Sequence, residues 1–113
     1  MSRKVMTGNE GVRDAVDSAL IYALVFRAGI KSQAVSVTDT ATKLPSVPLS
    51  KRMSVIVFNN GSVPVYIGLS DVSVSTGFPI YPRSSIHLSM EEELDIYGIV
   101  STGSADVRVL EGA

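Results

Sequence analysis

Ser54-Val55-Ile56-Val57-Phe58-Asn59-Asn60-Gly61-Ser62-Val63-Pro64-Val65-Tyr66-Ile67-Gly68 reads as two short strands folded back on each other, and the rest of the chain is organised around them. Its halves are rich in Val, Ile, Phe and Tyr, which suit a pleated surface that is at least half buried. They flank Asn60-Gly61, and a two-residue type I′ turn needs positive φ at both central positions, which Asn tolerates and Gly adopts at no steric cost. The expectation is a hairpin with Phe58 opposite Val63, Ile56 opposite Val65 and Ser54 opposite Ile67. That register puts Ile56, Phe58, Val63, Val65 and Ile67 on one face as a core seed. Val55, Val57 and Tyr66 fall on the other face as an outward apolar set, so both sides of the hairpin would be covered.

Outward from this stretch the signals are those of an all-β domain: short β-branched runs with punctuation about every eight to twelve residues. Upstream, Gln33 to Thr38 reads as a strand, and Ala41 to Val47, interrupted by Pro45 and Pro48, as an edge strand or extended arm. Lys51-Arg52 reads as a solvated turn. Downstream, Ser70 to Gly77 is a long polar connection, and Pro79-Ile80-Tyr81-Pro82 is extended because each proline disfavours helix in the residue before it. Ser85 to Met90 alternates Ile86, Leu88 and Met90 against His87 and Ser89. Glu91-Glu92-Glu93 marks a solvated turn. Leu94 to Val100 places Leu94, Ile96 and Val100 on one face, with Tyr97 and Ile99 on the other. Ala105 to Leu110 points Val107 and Val109 inward, Asp106 and Arg108 outward. About six to eight such strands make an antiparallel β-sandwich or jelly roll.

Residues 1–30 differ in character. Thr7-Gly8-Asn9-Glu10 matches a capping box. Val12, Ala15, Val16, Ala19, Leu20 and Ala23 then recur at helical spacing, with Asp14 and Asp17 near the end that the helix dipole favours for acids. Gly29 is a stop signal. The expected organisation is an N-terminal α-helical arm over residues 1–30 and a single mainly β sandwich or jelly-roll-like domain over residues 31–113. The stretch Leu20 to Phe26 is apolar all round and reads equally as a buried strand.

With 113 residues the chain suits one domain. A net charge of −1 without long like-charge blocks gives no reason to expect nucleic acid or an anionic membrane as partner. The chain has no cysteine, so a thiol nucleophile and a disulfide framework are excluded. The apolar run Ala19 to Phe26 is far short of the roughly 18–20 residues of a membrane-spanning helix. The acids Glu10, Asp14 and Asp17 before it argue against a signal peptide.

Chemistry-bearing motifs are sparse. His87 is the only histidine, and no sequence feature places a carboxylate and a nucleophile beside it, as a catalytic triad requires. Glu91, Glu92, Glu93 and Asp95 offer oxygens to a hard cation but match no calcium loop, and a solvated cap is the plainer reading. Tyr66, Tyr81 and Tyr97 would form a sugar-binding platform if they shared a face; core packing or an oligomer interface is the alternative. The expectation is therefore no catalytic, cofactor-binding or metal residues and no cofactor.

The run Asn59 to Gly68 continues through Val72, Thr76-Gly77-Phe78-Pro79-Ile80 and Ile96-Tyr97-Gly98-Ile99 to Ala105-Asp106-Val107-Arg108-Val109-Leu110-Glu111. With Ala41-Thr42-Lys43-Leu44-Pro45 ahead of it, this layout resembles the small β-sandwich structural proteins of tailed-bacteriophage virions, over roughly Gln33 to Glu111. The resemblance implies a non-enzymatic virion protein on the capsid surface or in the head-tail region. More narrowly, it implies a homotrimeric capsid decoration (cement) protein whose partner is the major capsid protein or another virion component. A head-to-tail adaptor, tail or fibre-attachment component is the alternative within that world, and a carbohydrate-binding sandwich the alternative outside it. Expected assembly contacts are the ridge Leu20, Leu24 and Phe26 and the outward set Val55, Val57 and Tyr66.

Overall fold

The computed structural model describes residues 29–113. The expected N-terminal helix, with Leu20, Leu24 and Phe26, lies outside the described residues. The described chain is mainly β: β1 (Ile30–Val37), β2 (Thr42–Leu44), β3 (Ser54–Asn59), β4 (Val65–Gly68), β5 (Phe78–Ile80), β6 (Ser85–Leu88), β7 (Ile96–Ile99) and β8 (Ala105–Gly112). They form two antiparallel four-stranded sheets, ordered β1-β8-β3-β6 and β2-β7-β4-β5. The ladders are nested: β4 pairs with β5, β3 with β6, β2 with β7 and β1 with β8. The chain thus behaves as one long antiparallel ribbon, doubled back between β4 and β5 and wound on itself.

Period-two alternation explains the core. In β8, Val107 and Val109 face inward while Asp106 and Arg108 face out, as their sequence predicts. Ile96 and Val100 of the β7 segment are buried as expected, but Leu94 is not: it precedes the strand and is exposed. Ile86 and Leu88 of β6, and Met90 just beyond it, pack against the core. Val37, Leu44, Val65 and Ile80 complete the interior between the sheets. Each such side chain contributes about 1.5–3 kcal/mol by burial. As expected, β2 is an edge strand.

The expected hairpin about Asn60-Gly61 does not form. β3 and β4 belong to different sheets, and residues 60–64 cross from one to the other. Neither Asn60 nor Gly61 has positive φ. The requirement for glycine is one of space: a Cβ on Gly61 would lie 2.9 Å from the Ala105 Cβ. Asn59 is fully buried and holds the crossover. Its Nδ2 donates to Val63 O and Ile80 O, both at 2.8 Å, and its Oδ1 accepts from Gly61 N at 2.9 Å.

The crossover also inverts the facing of β3. Val55 and Val57 are 0% exposed in the core, and Ile56 and Phe58 lie on the outer side. The outward assignment of Val55 and Val57 is therefore corrected. Without a hairpin partner, β3 takes its facing from β8, where Val57 lies opposite Val109.

Candidate functional site

The connections sort into two ends. Those of residues 38–41, 60–64, 81–84 and 100–104 gather at one end; 45–53, 69–77 and 89–95 gather at the other, with the start of β1 and the close of β8. The register fixes this arrangement: Leu44 lies opposite Ile96, Gly68 opposite Tyr97, Phe78 opposite Ile67, and Ile30 and Ser54 both opposite Gly112.

The two ends differ in where the exposed apolar side chains fall, although the second end also carries exposed Lys51, Asp71, Thr76, Glu91 and Glu93. Six of the seven exposed large apolar side chains among the described residues, Ile30, Val47, Leu69, Val74, Phe78 and Leu94, lie at the second end. Leu69 is 70% exposed and Phe78 59%. The first end carries Asp39, Thr40, Ser62, Ser101, Thr102 and Ser104, with Tyr81 as its exposed apolar residue. Isolated surface hydrophobics are ordinary, whereas a concentration of them on one face marks an interaction site.

That apolar end is braced from within. Glu111 continues the inward alternation of Val107 and Val109, and both its side chain and that of Arg52 are 0% exposed. Arg52 Nη1 donates to Glu111 Oε2 at 2.8 Å, and Leu49 N donates to the same oxygen at 2.9 Å. The rest of the guanidinium donates to Leu94 O and Glu91 O. Lys51 N donates to Glu92 Oε1 at 2.8 Å, with Lys51 in the left-handed region at φ 59. One buried cation therefore ties the 45–53 loop, the 89–95 loop and β8 together. The solvated turn expected at Lys51-Arg52 holds for Lys51 alone. Glu92 serves as a loop acceptor, and Asp95 pairs with Lys43 at 3.5 Å. Among the described residues no cluster of three or more His, Asp or Glu side chains is placed to hold a metal.

Tyr66 stands on the outer face of the second sheet, between Ile99 and Pro79. Tyr97 is its diagonal neighbour on the same face, opposite Gly68 and Lys43, and both rings are half-buried. The connection 69–77 leans on this face: a Cβ on Gly77 would lie 2.7 Å from the Tyr66 Cβ. Of the assembly contacts expected from sequence, Tyr66 is the one that reaches the described surface. It lies on the opposite sheet from Val55 and Val57, so the three do not form one surface.

His87 is exposed on β6, and its Nε2 lies 2.5 Å from the Ser54 Oγ. This is the spacing of a base and a nucleophile. Ser54 is 1% exposed, however, and no described carboxylate bonds to the imidazole. The pair acts as a cross-strand hydrogen bond on the first sheet. At the polar end, Arg108 donates from Nε and Nη2 to the Asp106 carboxylate at 2.8 to 3.1 Å, and Asn60 Nδ2 donates to it at 3.0 Å. Bonding to Arg108 and then to Asn60 holds the Asp106 carboxyl below its usual range.

Comparison with protein-family models, with curated proteins and with solved structures finds no match.

Proposed function

We propose that this chain is a non-enzymatic structural protein of a tailed-bacteriophage virion, a capsid decoration (cement) protein that seats its apolar end on the head shell and acts as a homotrimer. The observation that carries this reading is the gathering of Ile30, Val47, Leu69, Val74, Phe78 and Leu94 at one end of the sandwich, among exposed polar residues, while the opposite end exposes only Tyr81 of the large apolar residues described. The nested strand order is that of a jelly roll, an architecture shared by viral capsid domains, lectins and cupins. Fold alone does not choose among these; the apolar end and the sequence resemblance favour the virion. A cement protein stabilises no transition state. It binds one arrangement of shell subunits better than others and stabilises that arrangement by mass action, and many symmetric sites add weak contacts together. The Arg52–Glu111 brace suits this role, because loops held in place before binding lose less freedom on contact.

The test is co-sedimentation of the full chain with undecorated expanded capsids and with precursor shells. Binding in a fixed ratio to the expanded form supports decoration; indifference to both shells removes it. A second reading, a carbohydrate-binding sandwich, rests on Tyr66 and Tyr97 sharing one face. It requires saturable glycan binding that is lost in Tyr97→Ala.

A further inference from the structure

We propose that β1 is the strand by which two copies of this chain join, edge to edge, into one continuous sheet. The two sheets have four edge strands: β1, β6, β2 and β5. Three are guarded in ways that discourage pairing. β2 is three residues long and ends at Pro45, and β5 is three residues with Pro79 at its centre. β6 has four residues and opens on a bulge. There Arg83, at φ 67, donates its N–H to Asn59 O while Asn59 N donates to Ser84 O. β1 is eight residues long and has no proline.

The backbone of β1 is open in an orderly way. Gly29 and Ala113 exchange both of their hydrogen bonds, which makes Lys31, Gln33, Val35 and Val37 the residues bonded to β8. Asn60 N donating to Asp106 O sets the complementary alternation on the other side of β8. Ile30, Ser32, Ala34 and Ser36 therefore direct N–H and C=O groups at the free edge, where the described residues supply no partner. Their side chains are exposed on the outer face, and none is charged.

A second copy fits this edge better than an unrelated extended peptide. Antiparallel pairing about a twofold axis at Gln33 sets Ser32 opposite Ala34 and Ile30 opposite Ser36. In that register all four edge residues of each strand exchange bonds. A foreign strand would satisfy this edge and present a new open one; self-pairing closes both at once. No like charges meet: Lys31 falls opposite Val35, and its ammonium already reaches Val47 O at 3.3 Å. Of the devices that keep natural edge strands apart, β1 has no proline and no outward charge; its one inward-side charge, Lys31, is engaged by Val47 O of its own chain. The contact runs along the edge of the first sheet, meets the shell-binding end only at Ile30, and does not depend on the virion reading.

The test is the mass of the full chain by light scattering, compared with Ala34→Pro and Ser32→Lys. Proline at 34 deletes an edge N–H that β8 does not use, so the fold tolerates it. Lysine at 32 sets like charges against each other without touching the backbone. The expected result is a mass halved in both variants, from hexamer to trimer where the threefold contact of the decoration protein is also made and from dimer to monomer where it is not, with slow amide exchange at Ser32, Ala34 and Ser36 appearing only in the wild type. Equal mass in the wild type and a folded Ser32→Lys variant, or fast exchange at these amides at every concentration, overturns the proposal.

Discussion

Replacing Arg52 by methionine isolates the brace at the apolar end. The change keeps much of the side-chain volume but removes the guanidinium. Glu111, with no exposed side-chain surface, then keeps Leu49 N as its partner; its other oxygen, Oε1, is buried and already without one. Breaking a buried pair from one side costs about 3–5 kcal/mol, because a charge is left buried and uncompensated. The lost bonds to Leu94 O and Glu91 O add little, since both carbonyls sit in loops that water reaches once the guanidinium is gone. The expected loss is about 4 kcal/mol. At about 4 °C per kcal/mol for a domain near this length, the midpoint falls by about 16 °C. The assay is urea and thermal unfolding of the wild type, Arg52→Met, Glu111→Leu and the double variant. Because an apolar pair can replace a buried ion pair at little cost, the double variant should recover at least half of the loss. A single-variant cost below about 1 kcal/mol, or strict additivity in the double variant, would refute the claim that the two groups act as one buried unit.

Further expectations concern the crossover, the polar end and the packed glycine. Asn59→Ala leaves Val63 O, Ile80 O and Gly61 N without their side-chain partner and should cost about 2–4 kcal/mol in denaturant unfolding. Gly61→Ala drives a methyl against Ala105 and should cost about 1–3 kcal/mol. Asp106 has a lowered folded-state pKa, so its contribution to stability is present above the ordinary aspartate range and is lost as pH falls through the lowered value. In an NMR titration, Arg108→Gln should move the Asp106 midpoint upward, and an unmoved midpoint would show that Arg108 is not its main partner.

Most strands were legible because a sandwich core writes itself as alternation: β8, β6 and β7 follow their period of two. The Asn-Gly pair misled for a physical reason. It is a strong local hairpin signal, but the contacts that decide its use are distant: Ala105 crowding Gly61, and Ile80 O held by Asn59. The inverted facing of β3 follows from the same long-range choice of β8 as its partner. Glu111 was readable, since alternation after Val107 and Val109 turns it inward. Arg52 was not, because its burial depends on a carboxylate 59 residues away. The apolar end was half legible. Leu69, Val74 and Phe78 stand in and beside a segment recognisable as a connection, but their exposure and their convergence with Val47 and Leu94 arise only from the winding of the ribbon. Tyr66 and Tyr97 could be grouped once their strands were placed side by side.

If the apolar end is the working surface, single charges placed there should release the shell. Binding to expanded capsids is measured for Leu69→Asp and Leu94→Asp, with Tyr81→Asp at the opposite end as control. All three side chains are exposed, so stability should change by no more than about 0.5 kcal/mol. The first two variants should stay folded and lose the shell, while the third binds as the wild type does. Binding retained by both leucine variants, or lost only on changing Tyr81, would contradict that role for the apolar end.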